Sequence, residues 1–416
     1  MVALLPFALF RFVWKNRKNP DARRRWKERL GILDFQSASD GVIWIHAVSV
    51  GESNVAQPLT DRILANYPNS HVVVSTTTAT GAEMVIARYP REVTHVYFPF
   101  DIKACVRASF AKLNPKLVVL IETELWPNFL AVAEQKGVPV VLINARLSER
   151  AADKYRRISS LMKGMLGRLD LLVAQSEEDA ERFLSLGAAQ DKLVVTGSLK
   201  FDREPVPSTL ERGEAIRREL GQNRFVLMAG STRDGEEQLL LGQITALRAK
   251  IPNFLMVLAP RHPERFDQIA DLLEAQQIPY QRYQDNRSVS EATQVFLLDV
   301  MGELTHYYAA SDLAFVGGSL KPFGGQNTLE PAGLGVPILV GPYTYNFTAV
   351  NRKLAKAGAL VETQTEETLT RLIIELSIDS DRRDRMGLSG KKVFRDNRGA
   401  LKQVEILLAP YLASIK

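Results

Sequence analysis

The stretch VIWIHAVSVGESNVAQPLTDRILANYPNSHVVVST, residues 42–76, decides the fold class because it holds two buried strands and the helix between them. Residues 42–48 and 71–76 are almost continuously apolar, and residues 53–67 have helical spacing. Continuous apolar strands that alternate with helices are typical of a parallel sheet covered on both faces. The stretch therefore predicts an α/β protein with a doubly wound parallel sheet.

The same pattern continues along the chain and is interrupted once. The further apolar runs are 116–122, 138–144, 170–175 and 192–197, then 224–230, 253–260, 293–299, 312–318 and 336–341. Between the two series, FDREPVPSTLERG (201–213) has two prolines and mixed charge, as interdomain linkers often do. We predict an N-terminal domain over 31–200, a linker over 201–213 and a C-terminal domain over 214–416, whose last helix is able to pack back on the first domain. In two such domains facing each other, ligands bind at the carboxyl ends of the strands, in the cleft.

The basic charge lies at one end of the chain. The net charge is +6, but residues 1–29 hold nine Lys or Arg and two acidic residues, so the other 387 residues carry −1. Residues 2–14 are apolar but shorter than the about 20 residues that span a bilayer. An apolar stretch followed by Lys, Arg and Trp is typical of an interfacial anchor, and we expect residues 1–30 to associate with an anionic membrane surface. The alternative is a first helix packed on the protein with a solvated basic face. No RNA-stacking or DNA-reading motif supports a nucleic-acid arm.

Metal and disulfide chemistry have no support in the sequence. The single cysteine, Cys105, permits no internal disulfide, which fits a reducing compartment. The five histidines show neither an HExxH motif nor a Cys/His spacing that binds zinc. We therefore expect no metal site and no bound cofactor.

Candidate catalytic residues follow three strands of the N-terminal half. Glu52 opens a helix after the first strand, where a carboxylate can act as a general base or can cap the helix. Glu122 and Glu124 alternate at another strand end, so we expect them to face opposite ways, with only one toward the ligand. Either could instead be a solvated loop residue. Lys200, in GSLKFD (197–202), could stabilise a leaving phosphate.

The C-terminal half offers nucleotide-binding motifs after its own strands. GSTRDGEE (230–237) resembles a phosphate-contacting loop, although it is neither Walker A nor GxGxxG. In APRHPERF (259–266), Arg261 and His262 could contact an anion or a base, and His262 could equally make a loop hydrogen bond. MGEL (301–304) begins a helix, where backbone N–H groups can bind phosphate. In the glycine-rich stretch 317–342, Glu330 lies early in a helix and could hydrogen-bond a ribose.

Together these motifs resemble the 3-deoxy-D-manno-octulosonic acid (Kdo) transferases, which move Kdo from CMP-Kdo to a lipid A precursor. The resemblance runs from end to end and rests on RKNPDARRRWKERLG, HAVSVGE, IETELWPN, NARLSERA, AQSEEDAERFLSLGA, VTGSLKFD, APRHPERF, MGEL and GGQNTLEPA. The chain departs in its short N-terminal apolar stretch and at Gln326 and Thr328, where relatives vary. The resemblance implies a GT-B glycosyltransferase fold, that is, two Rossmann-like doubly wound domains facing a central cleft, without a catalytic metal.

The resemblance also implies a role for each matched residue. Glu52 would be the base that deprotonates the acceptor hydroxyl in an inverting displacement, and Glu122 and Lys200 would stabilise the transition state. Residues 31–200 would bind the acceptor and 214–416 the donor, and closure across the linker would exclude water. The donor CMP would be held by Pro260, Arg261, Met301, Gly302, Glu303, Asn327, Thr328, Leu329 and Glu330.

The implied setting is lipopolysaccharide inner-core assembly at the cytoplasmic face of the inner membrane of a Gram-negative bacterium. The partners would be CMP-Kdo, the lipid A precursor lipid IVA and the membrane surface, with no nucleic acid. Two other functions fit parts of the pattern. A nucleotide-sugar epimerase of the same fold would not need the basic N-terminus, and a membrane-docked protein that binds nucleotide-sugar without turnover would not need Glu52.

Overall fold

The computed structural model describes residues 25–35, 41–202, 207–285 and 289–415. The described residues up to Asp202, together with those from Arg398 onward, form one compact unit (unit 1), and those from Pro207 to Asn397 form a second (unit 2). Most of the segment 1–30, for which we predict membrane association, lies outside the described residues. Within the four described ranges, no helix has the length and apolarity needed to cross a membrane.

Unit 1 is built on one parallel sheet. Its described strands are β1 (Val42–His46), β2 (His71–Thr76), β3 (Val93–Tyr97), β4 (Pro115–Ile121), β5 (Val140–Ala145), β6 (Leu171–Ala174) and β7 (Leu193–Val195). The helices between them are α1 (Val50–Asn66), α2 (Ala79–Arg88), α3 (Lys103–Leu113), α4 (Pro127–Lys136), α5 (Glu149–Arg156), α6 (Ser159–Leu166) and α7 (Glu177–Ser185). The strand order is β3-β2-β1-β4-β5-β6-β7, so the order reverses between β1 and β4.

Strand β1 shows why the strands are continuously apolar in sequence. Trp44 lies on one face of the sheet, where its ring packs against Phe110 of α3 and Phe129 of α4. Ile43 and Ile45 lie on the other face, in the cluster that includes the buried side chains of α1. Because helices cover both faces, every position of the strand is buried.

Unit 2 repeats this architecture. Its described strands are β8 (Phe225–Thr232), β9 (Phe254–Pro260), β10 (Tyr280–Arg282), β11 (Val295–Leu297), β12 (Leu313–Val316), β13 (Ile338–Val340) and β14 (Leu360–Glu362). Its helices are α8 (Pro207–Leu220), α9 (Glu236–Leu241), α10 (Ile244–Lys250), α11 (Phe266–Ala275), α12 (Leu304–Ala309), α13 (Leu329–Leu334), α14 (Thr348–Lys356), α15 (Glu366–Ile378) and α16 (Ser380–Asp396). The strands are parallel, in the order β10-β11-β9-β8-β12-β13-β14, and the order reverses between β8 and β12.

The last helix of the chain, α17 (Ala400–Leu412), belongs to unit 1. Its buried residues Val404 and Leu408 join the cluster on the face of Ile43 and Ile45. The carboxylate of Asp202 accepts hydrogen bonds from the backbone N–H groups at residues 399 and 401, at 2.6 and 2.8 Å. A carboxylate at a helix N-terminus satisfies backbone donors and favours the helix dipole, so Asp202 fixes the start of α17.

Part of the basic N-terminal segment packs on the protein. Residues Trp26–Leu30 form a 3-10 turn, and Arg29 is buried, with Nη2 donating to the carbonyl of Thr77 at 2.6 Å. Arg25 forms an ion pair with Glu28 at 2.6 Å. The guanidinium groups of Arg25 and Arg29 both lie over the ring of Tyr97. These two arginines are bonded to unit 1, and the membrane association of residues 1–30 stays a prediction.

The predicted linker also differs from the structure. Leu199–Asp202 form a 3-10 turn, and α8 begins at Pro207. Because proline is favoured at the first position of a helix, Pro207 begins this element and does not interrupt it. Residues 207–213 are therefore helical in unit 2.

Candidate active site

The side chains predicted to be catalytic come together at the carboxyl edge of the unit 1 sheet. Glu52 lies in the first turn of α1, directly after β1, and Glu122 follows β4. Doubly wound sheets bind ligands where their strand order reverses, which here is between β1 and β4. Lys200 reaches the same place, since its Nζ lies 3.1 Å from Oε1 of Glu122.

Glu52 has one carboxylate oxygen fixed by the backbone. Its Oε2 accepts a hydrogen bond from the N–H of Val48, the residue before the helix N-cap, at 2.6 Å. Burial raises the pKa of Glu52 to about 8. The negative charges of Glu124 and Glu122 also raise this pKa, and the positive charge of Arg146 lowers it. A base acts best when its pKa is near the working pH, so this carboxylate is suited to accept a proton.

Glu122 is a buried carboxylate between two cations. Its Oε2 accepts from Nε of Arg146 at 2.9 Å, while Oε1 faces Lys200, and the residue is 7% exposed. Its backbone has a φ of 65°, in the left-handed region, and its N–H donates to Ile143 at 2.9 Å. Lys200 and Arg146 thus place two cationic groups at the carboxyl edge of the sheet, where they can stabilise negative charge.

The prediction that only one of Glu122 and Glu124 faces the site stays a prediction, but the strand alternation that it assumed is absent. Strand β4 ends at Ile121, and the left-handed backbone of Glu122 ends the alternation on which the prediction depended. The negative charges of both residues raise the pKa of Glu52, so both lie near its carboxyl group.

A neutral histidine lies behind these carboxylates. Nδ1 of His46 lies 3.0 Å from the carbonyl oxygen of Ser75, which can only accept, so Nδ1 carries the proton. Burial lowers the pKa of His46 to about 3. Its Nε2 lies 3.8 Å from Oε2 of Glu124, which accepts from Nε1 of Trp126 at 2.8 Å, and burial raises the pKa of Glu124. In the sequence, His46 has no metal-binding spacing and carries no other signal of this position.

The residues predicted to hold the donor nucleotide follow the strands of unit 2. Pro260 ends β9, and the backbone N–H of Arg261 donates to the carbonyl of Thr232 at the end of β8, at 3.0 Å. Met301 is exposed, and Gly302 has a φ of 97°, in the loop between β11 and α12. All of them lie at the carboxyl edge of the sheet.

Glu303 and Glu330 each lie at the start of a short helix. Glu303 is the residue before α12, and its Oε2 lies 3.1 Å from Nδ1 of His306. Glu330 is in the first turn of α13, as the sequence predicts, and its Oε1 accepts from Nδ2 of Asn327 at 3.0 Å. Both carboxylates are thus positioned by a neighbouring side chain.

Thr328 and Leu329 are buried, unlike the residues on either side of them. The Thr328 hydroxyl bonds Oδ1 of Asn351 at 2.6 Å, and the N–H of Leu329 donates to Oδ1 of Asn327 at 3.1 Å. The second contact orients Asn327, and the binding of CMP by Thr328 and Leu329 that the resemblance implies stays a prediction.

Glu236 was not singled out from the sequence, although its motif was. The residue is fully buried, and its carboxylate accepts four backbone hydrogen bonds of 2.6 to 2.9 Å, from Arg233, Gly318, Ser319 and Leu320. It therefore ties the loop after β8 to the glycine loop after β12. The acidic helix start in GSTRDGEE was the only sequence signal for it.

Close backbone approach explains a glycine at this junction. A Cβ on Gly317 would lie 2.6 Å from Cα of Thr232, so any side chain would force the ends of β12 and β8 apart. The described ranges contain no group of three or more His, Cys, Asp or Glu residues placed to bind a metal ion.

Known proteins resemble this chain in both sequence and fold. Residues 24–203 match the family model of the 3-deoxy-D-manno-octulosonic-acid transferases (kdotransferase). A 3-deoxy-D-manno-octulosonic acid transferase of Haemophilus influenzae is 38% identical over 95% of this chain and 93% of its own length. One of Bordetella pertussis is 35% identical over 89% and 87%.

A solved structure shows the fold alone. The UDP-GlcNAc 2-epimerase of Neisseria meningitidis covers 89% of this chain and 100% of its own, with a TM-score of 0.61 and 16% identity. Two Rossmann-like units with parallel seven-stranded sheets over the described residues confirm the predicted α/β GT-B fold. The epimerase shares that architecture, whereas the transferases share the sequence along almost the whole chain. The chain therefore belongs to the 3-deoxy-D-manno-octulosonic acid transferase family of glycosyltransferases.

Proposed function

We propose that the protein is an inverting transferase that moves Kdo from CMP-Kdo to the lipid A precursor lipid IVA. The observation that supports this most directly is Glu52, a base with a raised pKa beside the Glu122–Lys200 pair. Unit 2 binds the donor nucleotide through the residues after β9, β11 and β12, and unit 1 supplies the base and binds the acceptor.

The reaction follows from these groups. Oε2 of Glu52 is occupied by Val48, so Oε1 takes the proton of the acceptor hydroxyl as its oxygen attacks the anomeric carbon of Kdo. The bond from that carbon to the phosphate oxygen breaks, and CMP leaves with the electron pair. Lys200 and Arg146, which both pair with Glu122, stabilise the negative charge that develops. A single displacement inverts the anomeric centre.

The setting we propose is the cytoplasmic face of the inner membrane. Within the described part of unit 1, the α5–α6 junction exposes Ile158 and Leu161 beside Arg157 and Arg168, around a shallow groove of about 620 Å³. Exposed apolar side chains among cations are typical of a surface that contacts anionic lipid.

The test is direct transfer. The full-length protein is incubated with CMP-Kdo and lipid IVA, the lipid product is weighed by mass spectrometry, and its anomeric configuration is read by NMR. A positioned base contributes about 10²- to 10⁴-fold, so Glu52→Gln should lose transfer by that factor and keep CMP binding. Glu181→Gln, on the exposed side of α7, is the matched control and should retain activity. An unmodified lipid, a retained configuration or an active Glu52→Gln variant would contradict the proposal.

A further inference from the structure

Unit 2 presents an arginine to which the family resemblance gives no role. Arg233 follows β8, next to the reversal of strand order, and is half-buried. Its guanidinium lies 4.7 Å from the centre of the Phe323 ring, and Nη1 donates to Nε2 of His262 at 2.6 Å. The side chain thus connects the three loops that follow β8, β9 and β12.

His262 does not neutralise this charge. A guanidinium only donates, so Nε2 of His262 must accept, and the imidazole proton lies on Nδ1, which faces Glu264 at 3.7 Å. Burial and the positive charge of Arg233 lower the pKa of His262, which keeps the ring neutral at physiological pH. This contact also provides the loop hydrogen bond that the sequence left open for His262.

The acidic residues of the same loop are engaged elsewhere. Asp234 and Glu237 both pair with Arg265, at 3.2 and 2.6 Å, and Glu236 is buried on four backbone N–H groups. Within the described ranges, no carboxylate oxygen lies within 4.0 Å of the Arg233 guanidinium. Arg265, at the same edge of the sheet, has ion pairs with two carboxylates within that distance. A half-buried guanidinium with unused donors is suited to a planar oxyanion.

Two further cationic residues follow neighbouring strands at the same edge of the sheet, Arg261 after β9 and Lys321 after β12. Arg261 is fixed to the end of β8 through its backbone, and Cε of Lys321 lies 3.6 Å from where a Cβ of Gly235 would be. Gly318 has a φ of 69°, and a Cβ there would lie 3.5 Å from Cγ of Arg233, so the arginine stem lies directly on the glycine loop.

We propose that Arg233 binds the phosphate of the donor nucleotide, an assignment that rests on the proposed function. Two parallel N–H···O bonds from a guanidinium match the geometry of a phosphate. Glu236 fixes both the backbone of Arg233 and the glycine loop, so the guanidinium is positioned before the ligand arrives.

The experiment compares CMP with cytidine, which lacks the phosphate. Binding of each to the full-length protein is measured by calorimetry for the wild type, Arg233→Gln, Arg233→Lys and Arg371→Gln. Arg371 is the control, because it is exposed on α15 and pairs with Glu375 at 3.9 Å. We expect Arg233→Gln to weaken CMP binding about 10- to 100-fold and cytidine binding less than two-fold, since one charged hydrogen-bonding partner is lost. Arg233→Lys should restore part of the difference because it restores the charge without the fork.

Four outcomes would overturn the assignment. If the wild type binds CMP and Arg233→Gln binds it equally well, only the role of Arg233 fails. If CMP and cytidine binding fall together, the residue supports the loop and does not contact phosphate. If only the KM for CMP-Kdo rises, the oxyanion is the sugar carboxylate. If the wild type binds no CMP, the proposed function fails together with this assignment.

Discussion

Replacing Glu52 by glutamine should stabilise unit 1, and the gain should grow with pH. Burial raises the pKa of Glu52 from its ordinary 4.5 to about 8. Between these values the folded protein keeps the proton and the unfolded chain releases it. The free energy of unfolding therefore falls as the pH rises from 4.5 to 8. Glutamine stays neutral, and its amide oxygen can still accept from Val48.

The magnitude follows from the separation of the two pKa values. About 3.5 pH units at about 1.4 kcal/mol each give a ceiling of about 5 kcal/mol above pH 8. Because Glu52 is only partly buried, solvent screening reduces the expected gain in the free energy of unfolding to about 2 kcal/mol. At pH 5 the unfolded carboxyl is already mostly ionised, but this pH lies only about 0.5 units above its ordinary pKa of 4.5, so the gain there should be below 1 kcal/mol.

Urea unfolding followed by tryptophan fluorescence is the suitable assay. The four tryptophans of the chain are residues 14, 26, 44 and 126, and none belongs to unit 2. Trp44 is fully buried in the unit 1 core, so its emission reports the unfolding of that unit. Glu181→Gln is the control and should give no pH-dependent change. An equal effect of Glu52→Gln at pH 5 and pH 8.5, or a loss of stability at pH 8.5, would refute the reasoning.

Three further predictions concern catalysis and the N-terminal segment. The kcat/KM for transfer should rise with pH to a plateau, with a midpoint near pH 8, because Glu52 must lose its proton before it can act as a base. A flat pH profile of kcat/KM from pH 6 to 9 would exclude Glu52 as the base. Glu122→Gln and Lys200→Gln should each reduce kcat by about 10-fold or more. The double variant should have a kcat close to that of the less active single variant, because the two groups lie 3.1 Å apart and act together. Losses of kcat that multiply in the double variant would show independent roles. Deleting residues 1–24 should weaken sedimentation with anionic vesicles and leave the urea midpoint of unfolding unchanged. Deleting residues 1–30 should also lower that midpoint, because Arg29 is buried against Thr77. Equal midpoints for the two deletions would show that the 3-10 turn adds nothing to the stability of unit 1.

The central strands could be predicted from sequence because burial on both faces makes them continuously apolar. The strands that were not predicted are β3, β10 and β14, and all three lie at sheet edges. Strand β3 contains Thr94 and His95, and β10 is only half-buried, so neither produces an apolar run. An edge strand pairs with a neighbour on one side only, so it can hold polar residues. These residues interrupt the apolar run by which a buried strand is predicted.

The candidate site was predictable where residues follow strands in sequence, as Glu52, Glu122 and Lys200 do. Two features could not be predicted from local pattern. The left-handed backbone of Glu122 ends the strand alternation before Glu124, and no residue type signals a positive φ there. Glu236 bonds a loop more than 80 residues away, and a contact of that range depends on the completed sheet.

The return of α17 to unit 1 has a consequence for synthesis on the ribosome. The sheet face that carries Ile43 and Ile45 is covered in part by Val404 and Leu408, which are translated after the whole of unit 2. During elongation, unit 2 can fold while unit 1 still exposes an apolar face. Exposed apolar surface on a nascent chain is a site for chaperone binding and for aggregation. The order of synthesis therefore makes the first unit of the chain the last to be completed.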